Sequence, residues 1–313
     1  MSIMVNKNIL LLGGNGFLGR SLAVELNKRE KFRVSVFDLT EPCHAYDGIN
    51  YYAGNLNETG KIISIIQKEH INVLVHMVST IIPGSSVDNY ISNCEIVQIN
   101  TIPLLDYCAK NKVEFVFFSS GGTVYGVKGG TIREDEPTAP ISYYGLSKVQ
   151  IEDLINFYHR RYNLNYIILR PSNPYGHGQN LYGKQGLIAV IMGKLLKNEP
   201  VNVFGNGETI RDYIYIDDFV YYVASLIHKG VLNETVNIGS GEGYSINQIV
   251  SFVNKMSGDK LKVEYIDARK DDVPKMILDT TRLHNFIDHK NKTMEEGIKL
   301  FYDGIMNDNT NII

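Results

Sequence analysis

Cysteine is scarce in this chain. The three present, Cys43, Cys94 and Cys108, form no CxxC pair and no metal-ligand spacing. A disulfide framework and a metal site are therefore not expected, and a reducing cytoplasm is the default compartment. Charge of one sign is lacking too. Thirty-one Lys and Arg stand against 34 Asp and Glu, a formal net charge of −3 scattered without a long basic or acidic run. That balance gives no electrostatic case for nucleic acid as a partner. Met1 to Asn8 carry one lysine and run into a short apolar stretch that meets glycines. Neither a signal peptide nor a membrane span is expected from that pattern. Repeats and low-complexity segments are missing. What is there is 313 residues, 44% hydrophobic and 21% charged, enough for a large domain or two lobes with real cores.

Glycine, by contrast, is frequent at 28 residues. Asn8-Ile9-Leu10-Leu11-Leu12 is a short continuous apolar run, the pattern of a buried parallel strand. Gly13, Gly16 and Gly19 follow as G-x-x-G-x-x-G, and an amphipathic helix is expected from Arg20 to Lys28. Bare backbone between strand and helix lets a pyrophosphate settle at the positive helix N-terminus. The next strand, Arg33 to Phe37, ends at Asp38. A carboxylate about 20 positions past the glycines suits the adenosine ribose hydroxyls. It repels a 2′-phosphate, so NAD(H) is expected over NADP(H).

The alternation continues. Strands are expected at Asn50–Ala53, Val73–Val78, Glu114–Phe118 and Tyr166–Leu169, with a helix near Lys61–Glu69. A long helix over about Asp88–Lys112 should kink or break at Pro103. This order predicts an α/β fold, a Rossmann-type doubly wound parallel sheet. Ligands then bind at the carboxyl ends of the strands, where the loops Ser79–Ser86 and Ser119–Gly126 fall. His76 lies inside an apolar strand and reads as a core histidine. Past Arg170 a turn-rich loop, a helix from Gly186 to Leu196 and a strand at Val201 signal a smaller C-terminal α/β lobe. The expected division is 1–172 with 212–240 for the dinucleotide domain, and 173–211 with 241–313 for the lobe.

Tyr144 and Lys148 lie four residues apart at the start of a helical run to Tyr162, so their side chains share a face. A fixed ammonium beside a phenol should lower the phenol pKa and give an acid/base usable near neutral pH.

Taken in order, Gly13–Gly19, Asp38, Val75-His76, Ser119-Ser120 through Tyr125-Gly126, Tyr144/Lys148, Arg170–Gly176 and Arg211–Ile214 resemble the extended short-chain dehydrogenases/reductases. The resemblance is to the nucleotide-sugar group, of UDP-glucose 4-epimerase type, and covers nearly the whole chain. It implies that Gly13, Gly16, Phe17, Leu18 and Gly19 receive the NAD pyrophosphate. It places Asp38, Asn55, Leu56 and Ser119 around the same cofactor, with Asn55 standing where the family usually has an aspartate. Tyr144 would be the acid/base, and Lys148 would also hold the nicotinamide ribose. Ser79, Ile81, Thr123, Asn173, Gln185, Val203, Arg211 and Arg269 would contact a nucleotide-sugar substrate. The long helix and the Tyr144 helix match those through which the family forms homodimers. Cytoplasmic deoxysugar and polysaccharide biosynthesis is the implied setting.

Departures from the pattern narrow the reaction. The family's catalytic Ser or Thr falls at Gly121, so the third hydroxyl must come from Ser120, Thr123 or water. Glycine variants of this turn occur in epimerase-like sequences, so catalysis stands. The Asp-Glu pair of 4,6-dehydratases falls at Gly122 and Thr123, which argues against dehydration. The lysine usual after the histidine strand of galactose-type epimerases is replaced by Ser79-Thr80-Ile81-Ile82. Apolar Ile81 and Ile82 would suit a C6 methyl better than a hydroxymethyl, because an unpaired buried hydroxyl is costly. Reduction of a (dTDP-linked) 4-keto-6-deoxy sugar is thus the first expectation and 4-epimerisation the second. A non-catalytic NAD-binding regulator is the third.

Overall fold

The computed structural model describes residues 6–183, 185–267 and 273–310. In chain order the first elements are β1 (Lys7–Leu12), α1 (Phe17–Asn27), β2 (Phe32–Asp38), β3 (Ile49–Ala53), α2 (Thr59–Lys68) and β4 (Val73–His76). Next come α3 (Val87–Asn93), α4 (Ile99–Asn111), β5 (Glu114–Phe118), β6 (Gly130–Ile132), α5 (Tyr143–Tyr162), β7 (Tyr166–Pro171) and β8 (Asn173–Tyr175). Then follow α6 (Leu187–Leu196), β9 (Val201–Phe204), β10 (Ile210–Tyr215), α7 (Ile216–Lys229) and β11 (Glu234–Ile238). Last are β12 (Gly243–Ser245), α8 (Ile246–Ser257), β13 (Val263–Ile266), β14 (Lys275–Leu278), α9 (Thr281–Phe286) and α10 (Met294–Thr310).

Contacts divide the chain into two units. The first runs to Val127 and takes in Asp135–Pro171 and Val220–Val236. The second comprises Lys128–Glu134, Ser172–Phe219 and the chain from Asn237 on.

The expected Rossmann-type sheet is present, seven strands in the order β11-β7-β5-β4-β1-β2-β3. β1 pairs in parallel with both β2 and β4, and β5 in parallel with β4 and β7. The strand order reverses between β1 and β4, and the crevice beyond their carboxyl ends is the natural ligand position. Both faces of the sheet are covered, which is why β1 and β4 read as unbroken apolar runs. Leu10, Leu74, Phe115 and Ile168 of the strands pack with Ile62, Leu104 and Ile151 of the helices in one core. In the second unit, β10 pairs antiparallel with β12 and parallel with β14 and β8.

The long helix expected over 88–112 differs from expectation. Pro103 lies inside α4, and the irregularity falls one turn earlier, at Cys94–Gln98, where the helix widens to π geometry. Side chains take up the carbonyls of this wide turn. Asn100 Nδ2 donates to the carbonyls of Glu95 (2.9 Å) and Ile96 (3.0 Å), and Thr101 Oγ1 donates to that of Val97 (2.7 Å). A proline cannot donate into the ladder, and a π turn relieves the crowding at lower cost than a sharp kink.

Candidate active site

The crevice is built first by glycine. Gly13 ends β1 with φ +82°, a left-handed conformation that glycine adopts freely. A Cβ on Gly19 would stand 2.6 Å from the Gly13 carbonyl oxygen, so close packing of α1 on the turn forbids a side chain there. Gly16 differs: a Cβ there would meet only the Gly13 oxygen, at 3.6 Å. Nothing in the chain itself demands glycine at 16, and the room it leaves lies at the α1 N-terminus. That helix has no side-chain cap and no acidic residue in its first turn. Its free N–H groups and dipole therefore suit a phosphate. Phe17 and Leu18 are half-buried in the same turn of helix.

Asp38 closes the β2 end. Its Oδ2 accepts from the Asn15 N–H (2.8 Å) and its Oδ1 from the Leu39 N–H (2.7 Å). A cleft of about 550 Å³ is lined by Gly13, Gly16, Asp38, Asn55, Leu56 and Ser79 among others. Asn55 Oδ1 accepts from the Asn57 N–H at 3.2 Å, which keeps one lone pair for a ligand. The bare Gly16, the open helix end and the carboxylate together fit a dinucleotide without a 2′-phosphate. Among the described residues, no group of three or more His, Cys, Asp or Glu could hold a metal ion.

α5 carries the Tyr–Lys pair. Ser142 caps it by accepting from the Gly145 N–H (3.1 Å), and a Cβ on Gly145 would press to 2.8 Å from the Thr123 carbonyl oxygen. The helix start thus lies hard against the Ser119–Gly126 turn. Lys148 is buried; its Nζ donates to the Phe118 carbonyl (2.9 Å) and sits 5.6 Å from the Tyr144 ring centroid. Burial lowers the Lys148 pKa to about 8, against the upward pull of the Glu152 charge. The lowered phenol pKa expected of Tyr144 is not found. Burial pushes it up, and a hydrogen bond with the Ser120 hydroxyl pulls it part of the way back. The ammonium is turned to a backbone carbonyl instead, so burial prevails.

Of the two hydroxyls that the sequence leaves open, one meets the phenol. Ser120 reaches Tyr144. Thr123 Oγ1 is enclosed without a partner. Ser119 is buried, its Oγ donating to Glu152, whose carboxylate also pairs with Arg170. Glu152 went unnoticed in the sequence, although it continues the Tyr144, Lys148 spacing by four more residues.

His76 is fully buried. Nε2 pairs with Thr101 Oγ1 (3.1 Å), Nδ1 has no partner, and burial lowers its pKa to about 3. It is a core histidine that stays neutral. Ile81 is buried, and its carbonyl accepts from Ser79 Oγ (3.0 Å). Ile82 is half-buried and supplies the apolar surface of this loop.

In the second unit, Asn173 and Arg211 are brought onto neighbouring strands. Asn173 pairs with Tyr213, and its Nδ2 donates to the Asp212 carbonyl (2.7 Å). Arg211 Nη1 donates to the carbonyls of Ile210 (2.9 Å) and Val273 (2.6 Å). Val203 is fully buried on β9, where it pairs with Tyr265 of β13. Gln185 is exposed just before α6. Arg269 lies outside the described residues. Asp212, between the two predicted contacts, is a buried hub: its carboxylate accepts from Ser240 N–H and Oγ, Gly241 N–H and Leu278 N–H.

A parallel sheet with a glycine turn at its switch point, beside a Tyr–Lys pair, defines a short-chain dehydrogenase/reductase-type nucleotide-binding enzyme. Residues 9–239 match the model of the NAD dependent epimerase/dehydratase family, and the chain belongs to that family. NAD is its cofactor. A dTDP-4-dehydro-6-deoxyglucose reductase of Escherichia coli is 32% identical over 88% of this chain and 89% of its own. A putative UDP-glucose 4-epimerase of Methanocaldococcus jannaschii is 31% identical over 96% and 99%. Among solved structures, a UDP-glucose 4-epimerase of Thermotoga maritima with UDP-glucose superposes at TM-score 0.88, with 30% identity, covering 96% of this chain and 99% of that one. The relatives are epimerases, dehydratases and reductases of nucleotide sugars, and this chain is an enzyme of that type.

Proposed function

We propose that the enzyme reduces a 4-keto-6-deoxyhexose carried on a nucleotide, in the first instance dTDP, to the 6-deoxyhexose. The observation that carries this reading is the Ser79–Ser86 loop. It holds no lysine, its side chains are uncharged, and it offers half-buried Ile82 at the carboxyl end of β4. Such a surface favours a C6 methyl over a hydroxymethyl. The name of the Escherichia coli relative supports the same reaction.

NADH supplies the hydride. In the chain, Tyr144 donates its proton to O4 as the C4 carbonyl becomes an alcohol, and the phenolate regains a proton from solvent. Ser120 hydrogen-bonds the phenol and stabilises the phenolate. Lys148 holds the nicotinamide ribose. Gly13, Gly16, Gly19, Asp38, Asn55 and Leu56 hold the rest of the cofactor. Asn173, Arg211, Gln185, Val203 and Arg269 serve the sugar nucleotide, within residues 173–211 and 241–313. Ile99, Ile102, Phe157 and Tyr162 are exposed apolar residues on α4 and α5, and supply the face of a homodimer. No helix among the described residues is long and apolar enough to cross a membrane, and a cytoplasmic enzyme making sugar donors for polysaccharide is the setting proposed.

The second reading is 4-epimerisation. The Methanocaldococcus jannaschii relative and the Thermotoga maritima structure favour it. Both reactions use the same Tyr–Lys pair. They separate in NADH absorbance with dTDP-4-keto-6-deoxyglucose, where stoichiometric consumption supports reduction. Interconversion of UDP-glucose and UDP-galactose without added coenzyme, with the keto sugar left untouched, overturns it.

A further inference from the structure

Tyr144, Lys148 and Glu152 occupy successive i, i+4 positions of α5 and so form one stripe. The first two are the acid/base pair. Glu152 is 3% exposed and Arg170, on β7, is 6% exposed. Arg170 meets the carboxylate through two nitrogens, Nε to Oε1 at 3.1 Å and Nη2 to Oε2 at 2.6 Å. Removing two charges from water costs about what their attraction returns, so a buried pair is a weak stabiliser. Its partners suggest another use. Ser119 Oγ donates to Glu152 Oε1. Arg170 Nη1 donates to the Tyr125 hydroxyl (2.8 Å), and its guanidinium carbon lies 4.8 Å from that ring's centroid. Ser119 and Tyr125 are the two ends of the turn that carries Ser120. The backbone ties the same turn to either side of Arg170, with Ser119 N–H to the Leu169 carbonyl and Gly121 N–H to that of Pro171, both 2.8 Å.

We propose that the Glu152–Arg170 pair is the positioning element of this centre, pinning both ends of the Ser119–Tyr125 turn so that Ser120 meets Tyr144. The inference rests on Tyr144 and Lys148 as the acid/base pair, not on which sugar is the substrate. The charges support it. Lys148 and Arg170 are cationic and Glu152 anionic, while His76, across on β4, is neutral. The buried cluster therefore carries one net positive charge, which a Tyr144 phenolate neutralises. Glu152 also favours the charged form of Lys148. Loss of that carboxylate leaves Lys148 neutral at a lower pH and lets the turn drift from the phenol.

The test begins with NADH affinity, read by fluorescence from pH 6 to pH 10 without a sugar nucleotide. A wrong substrate assignment therefore leaves this arm standing. Charged Lys148 donates to the ribose, so affinity is high below a midpoint near 8 and falls above it. In Glu152→Gln that midpoint moves down by roughly one unit, and kcat falls at least about tenfold with KM within about twofold. An unmoved midpoint with unchanged kcat in folded Glu152→Gln overturns the proposal. Should that variant not fold, Glu152→Met with Arg170→Met removes both charges at little cost in stability. There kcat falls as in the single variant while the midpoint moves less, because a cation leaves together with the anion, and kcat at the wild-type level overturns the proposal. Ser119→Ala and Tyr125→Phe each remove one pin and keep both charges. There kcat falls and the NADH midpoint stays; kcat at the wild-type level in both sinks the pinning.

Discussion

Gly19 and Gly13 touch across the dinucleotide turn: a Cβ added at Gly19 would lie 2.6 Å from the Gly13 carbonyl oxygen and 2.6 Å from Gly14 Cα. Both neighbours are backbone, so neither can yield cheaply. Gly19→Ala should cost about 1–3 kcal/mol, as overpacking does, and lose NADH binding with it. Gly16→Ala is the contrast, because its Cβ meets only one chain atom, at 3.6 Å. That variant should keep its thermal midpoint and still bind NADH at least about tenfold more weakly, since the methyl fills the anion cradle. Thermal melts and NADH titration of the two proteins check the pair of outcomes.

The hydroxyls of Tyr144, Ser120 and Thr123 separate by geometry. Tyr144→Phe removes the proton and should abolish turnover, by about 100-fold or more, with NADH affinity within about twofold. Ser120→Ala removes the hydroxyl that favours the phenolate. Its kcat should fall about tenfold or more. Thr123→Val removes an enclosed hydroxyl without a partner. Its effect on kcat should be smaller than that of Ser120→Ala. Equal losses at 120 and 123 would count against Ser120 as the third group.

Much of the framework was legible because it is local. The Gly13–Gly19 turn, Asp38 and the Tyr144/Lys148 spacing are each set within a few residues, by strand and helix periods alone. What was not legible depends on residues distant in sequence. Glu152, on α5, finds Arg170 18 positions on, on β7. The donors to Asp212 come from residues 240, 241 and 278. The choice between Ser120 and Thr123 turns on which hydroxyl faces the helix, and both read alike in a polar turn. Ile81 reads as a ligand-loop residue, yet the loop folds it inward. Pro103 marks a break truthfully but not its place, because side chains of Asn100 and Thr101 let the wide turn form earlier.

Asp212 should prove the stability centre of the second unit. Its carboxylate takes four donors: Ser240 N–H at 2.9 Å and Oγ at 3.0 Å, Gly241 N–H at 3.2 Å and Leu278 N–H at 3.3 Å. Asp212→Ala leaves buried donors unpaired, at about 1–3 kcal/mol for each that water cannot reach. A fall of about 3 kcal/mol or more in urea unfolding is expected. A loss below about 1 kcal/mol would show that water replaces the carboxylate.

His76 sets an acid limit on folding. Its pKa is lowered from 6.5 to about 3 because the imidazole is fully buried, with the Lys148 charge adding to the effect. The folded state therefore refuses a proton that the unfolded chain accepts. A depressed folded pKa contributes stability that is complete above the unfolded pKa of 6.5 and drains away as pH falls toward 3. At pH 5 the loss relative to pH 8 is about 2 kcal/mol, set almost wholly by the unfolded pKa. His76→Gln keeps a donor for Thr101 Oγ1, which pairs with Nε2 at 3.1 Å, and has no proton to refuse. Urea unfolding at pH 8 and pH 5 should thus show a drop in the wild type that is smaller by about 2 kcal/mol in His76→Gln. Equal drops in the two proteins would mean that the ring is protonated in the folded state, and that Nδ1 finds a partner there.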